Sequence, residues 1–201
     1  MKEFDAKFDV GTDGYQSANP GKYPAHISAF DVRTFDSGSK VFNIEFTLAD
    51  ECKSMEVHKY VRSGNDYNPS NKDGEPEMIS AGFMTGKKYR SSGVWLTPNL
   101  PKDQGWKNRN YKEFFTNIGV EFPNNANGIL ELQEVEESDV IGMPALVDVK
   151  PHTYTNKDGE DKTTLRVLSV FPWNDGARKE PPKDTDVPFW VIRLIVVARA
   201  C

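Results

Sequence analysis

From Lys22 onward, apolar side chains fall on alternate positions. Tyr23, Ala25, Ile27 and Ala29 share one parity while Phe30 and Val32 take the other, which predicts a long strand bent by a bulge. Asp36-Ser37-Gly38 supplies a turn, after which Phe42, Ile44, Phe46 and Leu48 alternate with Asn43, Glu45 and Thr47. A period of two puts those apolar residues on one face, so the two segments are expected to pair as a hairpin with one buried side. Met55 to Val61 is a weaker strand. Arg62 to Glu77 lacks apolar support and reads as a mobile loop, and Ile79 to Leu96, broken by Gly82, Gly86 and Gly93, reads as one or two irregular strands.

The period then changes. Tyr111, Phe114, Phe115 and Ile118 stand at helical spacing, Asn110 with Glu113 has the form of a capping pair, and Gly119 follows as a stop. This stripe assigns Tyr111 to the core. Alternation resumes at Ala145, Val147 and Val149, interleaved with Asp148, Lys150 and His152. Leu165 to Phe171 forms a partner strand across the turn Asn156-Lys157-Asp158-Gly159. The predicted fold is mainly β: a single five-stranded oligonucleotide-binding (OB) barrel with one short helix between strands 3 and 4 and long loops. Its expected organisation is a flexible N-terminal arm over residues 1–21, the OB-fold nucleic-acid-binding domain over 22–173 and a C-terminal tail over 174–201.

Bulk properties narrow the class. A chain of 201 residues with 37% hydrophobic content and a mean hydropathy of −0.62 is long enough for one well-buried core and polar enough to be soluble. No apolar run follows the first lysine, so no signal peptide is expected. Cys52 and Cys201 make no disulfide framework, and His26, His58 and His152 have no zinc spacing, so neither metal nor cofactor is expected.

Charge changes the picture. Between Phe83 and Lys112, seven cations face Asp103 alone, giving +6; against a total of −5, the rest of the chain carries −11. The same stretch holds Phe83, Tyr89, Trp95, Trp106 and Tyr111. Cations along a surface attract phosphates, and interleaved rings offer flat faces to unpaired bases. The expected single-strand site is therefore Lys87, Lys88, Arg90, Lys107, Arg109 and Lys112 for phosphates, with Tyr89, Trp95 and Trp106 for bases. On the last hairpin, Lys150, His152, Tyr154 and Arg166 take the parity opposite the apolar positions, where Lys150, Tyr154 and Arg166 extend the groove. Each ring has a second reading as a cap on the barrel end, and each cation as part of a plain solvated face. The opposing acidic run, Glu131 to Asp139, reads as a solvated loop.

Two stretches carry a family likeness. Asn110-Tyr111-Lys112-Glu113-Phe114-Phe115-Thr116-Asn117-Ile118-Gly119-Val120-Glu121-Phe122-Pro123 and Ile141-Gly142-Met143-Pro144-Ala145-Leu146-Val147-Asp148-Val149-Lys150 resemble the helix and fourth strand of bacteriophage single-stranded DNA-binding proteins. Lys183-Asp184-Thr185-Asp186-Val187-Pro188-Phe189 resembles their acidic partner-recruiting tip. The resemblance implies coating of single-stranded DNA without sequence reading or catalysis, during phage replication, recombination or repair in the cytoplasm of the infected bacterial host. It also implies recruitment of replication or recombination proteins through Asp184, Asp186, Pro188 and Phe189.

The chain departs from that pattern by continuing from Trp190 to Cys201. These twelve residues, interrupted by Arg193, are too short for a bilayer span of roughly 20. They are read as a terminal strand, a cover for Phe189 or a contact between copies in a homo-oligomer. Two alternatives belong to other classes: a phage structural or assembly protein, and a metal-dependent nuclease using Asp148 with Glu160 or Asp161. Gly82, Gly86 and Lys87 do not make a phosphate-binding loop, because the glycines are one residue too close and Lys88 replaces the hydroxyl residue.

Overall fold

The computed structural model describes residues 18–124, 126 and 131–178. Its main sheet is antiparallel and starts with β1 (Gly21–Thr34) and β2 (Lys40–Leu48). The predicted bulge is there as a register shift between Ile27 and Ala29, and it moves the inward parity from Ile27 to Phe30. Phe42, Ile44, Phe46 and Leu48 are buried as their alternation requires, leaving Asn43, Glu45 and Thr47 on the outer face.

Residues 56–80 fold into a small arm of three two-stranded ladders. β3 (Glu56–His58) pairs with the returning β8 (Met78–Ser80), and between them lie the hairpins β4 (Tyr60–Ser63) with β5 (Asp66–Pro69) and β6 (Asn71–Lys72) with β7 (Glu75–Pro76). The expectation of a mobile loop over Arg62 to Glu77 is thereby corrected. Short polar hairpins leave no apolar alternation to read, yet their backbone groups are paired. Asn19 ties the arm to the sheet: its side-chain amide donates to the His58 carbonyl at 2.9 Å and its oxygen accepts the Tyr60 N–H at 2.9 Å.

The irregular third region resolves into β9 (Lys88–Arg90) and β10 (Val94–Leu96), both paired with β2. Gly93 separates them at φ +88°, where a Cβ would lie 3.0 Å from the Val41 Cγ2, so the break in the strand demands glycine. A 3-10 segment, Lys102–Asn108, then leads into α1 (Arg109–Asn117). Tyr111, Phe115 and Ile118 are buried and Gly119 ends the helix at φ +92°. The expected Asn110–Glu113 capping pair is corrected: the N-cap position is Asn108, whose side chain instead bonds both backbone groups of Thr97 at 2.8 Å. Within the acidic run, Glu137–Val140 forms a single helical turn, α2.

β11 (Pro144–Thr155) and β12 (Asp161–Phe171) complete the main sheet in the order β10-β2-β1-β11-β12, with β9 also on β2. The core lies against its inner face, where Tyr23, Phe42, Phe46, Tyr111 and Phe115 are fully enclosed. The fold is mainly β with short helices, but the prediction of a closed five-stranded barrel is corrected. There are more than five strands, and among the described residues the two ends of the sheet are joined by a single parallel bridge between Ser91 and Val167. Among the described residues no helix is long and apolar enough to cross a membrane.

Candidate nucleic-acid interface

Parity on β9 divides the predicted site. Tyr89 faces inward opposite Phe46, is only 8% exposed, and donates its hydroxyl to the Met84 sulfur. Burial raises its phenol pKa well above the usual value. Tyr89 is therefore a core residue, and the expectation that it stacks bases is corrected: a lone ring between two cations carries no sign of which face the strand buries.

Lys88 and Arg90 point the other way, onto the outer face. There the register places Arg90 directly across from Glu45, whose carboxylate bonds the Lys88 ammonium at 3.0 Å and meets Arg90 Nε at 3.5 Å. The Lys88 hydrogen bond, with support from Arg90, holds the Glu45 carboxyl below its ordinary range. One acid thus partly neutralises two predicted phosphate ligands. Lys87 lies on the turn before β9, 5.1 Å from the Phe83 ring, and its partial burial lowers its pKa.

Trp95 also points outward, opposite Val41 on β2, and is 48% exposed. Its ring stacks on Phe35 with centroids 5.2 Å apart and planes 22° apart, and the Arg33 guanidinium lies 4.9 Å from the Phe35 centre. Sequence reading passed over Phe35 and Arg33. The available signal was an aromatic residue next to the Asp36-Ser37-Gly38 turn, two positions after a cation.

The approach to α1 places the second exposed indole. Because Asn108 extends β10 by bonding Thr97, the 3-10 segment is held against the end of that strand. Trp106 is 66% exposed, and Lys107 Nζ lies 6.0 Å from its ring while donating to Gln104 Oε1 at 2.7 Å. Arg109 and Lys112 are exposed on α1. Among the described residues, Lys107, Arg109 and Lys112 take part in no ion pair.

Three clefts that share lining residues hold most of these groups. The first, about 330 Å³, has Arg90, Arg166, Asp31, Glu45 and Ser91 in its lining. Ser91 also borders the second, about 560 Å³, which opens between β10 and β12 and includes Trp95, Lys107 and Glu113. Glu113 in turn borders the third, about 760 Å³, with Trp106, Arg109 and Lys112. The buried Ser91 between the first two is held in place: its N–H donates to the Ile44 carbonyl at 2.8 Å and its hydroxyl accepts the Ile44 N–H at 3.2 Å. The Asn117 side chain fixes the floor by donating to the Val170 carbonyl at 3.0 Å.

On the closing hairpin, Lys150 sits opposite Arg166, and Tyr154 is exposed opposite Lys162. Lys150 bonds Asp148 at 2.7 Å, so it too is partly neutralised. Of that group, Arg166 lines one of the three clefts. The nuclease pairing is corrected by the register: Asp148 lies opposite Ser169 and Asp161 opposite Thr155, so eight residues of β12, roughly 25 Å, separate them. The tail residues Asp184, Asp186, Pro188 and Phe189, like the arm before residue 18, lie outside the described residues. In comparisons with known proteins, no protein-family model and no curated protein sequence matches the chain.

Proposed function

We propose that this chain is a non-sequence-specific single-stranded DNA-binding protein built on an OB barrel that stays partly open. The strand order, the helix between the third and fourth barrel strands and the parallel bridge at Ser91 support that fold, for which partial opening is an accepted variation. The observation that carries the function is the set of three neighbouring clefts bearing two exposed indoles and five cations: Arg90, Arg166, Lys107, Arg109 and Lys112. Phosphates meet the cations and bases stack on the rings, so affinity falls with salt and depends little on sequence.

The activity proposed is binding without catalysis. From the family likeness we place it in phage DNA replication, recombination or repair, with replication or recombination proteins as partners of the tail. Anisotropy of labelled oligo(dT), titrated with protein at several salt concentrations, tests the reading. Binding that weakens linearly on a log–log plot is expected; no binding at the lowest salt would overturn it.

A further inference from the structure

The main sheet fails to close between β10 and β12, and the gap is a cleft of about 560 Å³. That volume falls within the roughly 300–1,000 Å³ of small-molecule sites. Trp95 stands on the β10 side and Leu168, 44% exposed, on the β12 side. Two large apolar groups facing a shared space leave hydrophobic surface that a flat ligand would cover. Phe114, Val170 and Phe171 add further apolar lining, and the polar groups include Lys107 from the 3-10 segment and Asn110 and Glu113 from α1.

The indole is backed before any ligand arrives. Phe35 stacks on it, and Phe35 itself is fixed by the turn, donating its N–H to the Ser39 carbonyl at 2.9 Å and accepting from the Gly38 N–H at 2.8 Å. A ring held this way loses little conformational freedom when a base settles on it.

We propose that the seam cleft holds one nucleotide unit of a single strand. The base lies on Trp95 opposite Leu168, the phosphate meets Lys107, and the base edge faces Asn110 and Glu113. The Glu113 carboxylate repels phosphate and accepts base N–H groups, so it directs the sugar-phosphate toward Lys107. Phe35 and Arg33 are positioning residues that act through Trp95. This inference rests on the function proposed above and deepens it: the principal base site is the gap in the sheet, not the cationic face beside β9.

The test uses the full chain labelled with 5-fluorotryptophan, with ¹⁹F resonances assigned by single Trp→Phe variants and binding followed in parallel by anisotropy of an oligo(dT) octamer. The Trp95 resonance is expected to shift on binding. Trp95→Ala is expected to weaken binding by roughly 5- to 150-fold. Leu168→Asp and Phe35→Leu are expected to weaken it less, with an unchanged salt slope for Phe35→Leu because no cation is lost. Should Phe35→Leu fail to fold, the exposed Leu168→Asp carries the test. Octamer binding with an unmoved Trp95 resonance and parental affinity in Leu168→Asp would overturn the seam site while leaving the proposed function standing. No octamer binding would overturn the proposed function itself, and the seam site with it.

Discussion

Cations on the sheet and cations on the helical approach have similar sequence surroundings but different electrostatic situations. Lys88 and Arg90 on β9 share the carboxylate of Glu45, a residue 43 positions away from Lys88 that strand pairing brings alongside. Lys107, Arg109 and Lys112 belong to the 3-10 segment and α1, where no acid among the described residues pairs with them. Local charge density is therefore a poor measure of available charge. What a phosphate meets depends on which carboxylates the fold has already placed beside each cation.

The aromatic residues divide in the same way. Tyr89 is enclosed by the core while Trp95 and Trp106 face outward, and Tyr89→Ala tests that distinction with the largest expected effect. Loss of a buried ring should lower stability by about 3–5 kcal/mol in chemical denaturation. Trp106→Ala should leave stability nearly unchanged and weaken oligo(dT) binding by about 1–3 kcal/mol, read by anisotropy. Equal destabilisation by the two variants would erase the contrast.

The cations make the next comparison. Replacing Lys107, Arg109 and Lys112 together by Ala should flatten the log–log salt slope by about 2, at roughly 0.7 for each phosphate contact. Replacing Lys88 and Arg90 should flatten it by less per residue, because Glu45 already occupies them. Glu45→Gln sharpens the point in the opposite direction: with its competing charge removed, binding should tighten at low salt and the slope should steepen by up to about 1.4 if both cations reach phosphates.

A pH effect is the smallest expected. The folded-state pKa of Glu45 lies below its unfolded value, so its stabilising contribution is fully present above the unfolded pKa of about 4.3 and is lost as pH falls through the folded value. In acid denaturation, Glu45→Gln should remove that part of the decline and leave the rest unchanged.

Much of the framework was legible because its causes are local. Alternation at Phe42, Ile44, Phe46 and Leu48 reported a half-buried strand, and the spacing of Tyr111, Phe115 and Ile118 reported a helix facing the core. The bulge near Ile27 was visible as a parity change. Less was legible where backbone pairing proceeds without apolar alternation. The polar hairpins between Tyr60 and Pro76 and the three-residue strands around Gly93 depend on contacts made elsewhere in the chain.

The sequence by itself determined the strand-rich class, the position of the helix and the concentration of positive charge and aromatic rings in one stretch. Those features follow from the order of side chains along a backbone whose periods are set by stereochemistry. Tertiary structure alone decided that Tyr89 is buried while Trp95 is exposed, that Phe35 backs Trp95, that Glu45 restrains two cations, and that the sheet stays open beside Ser91. Each of these depends on strand register between segments distant in sequence. Shifting the pairing by one residue would turn every side chain to the opposite face.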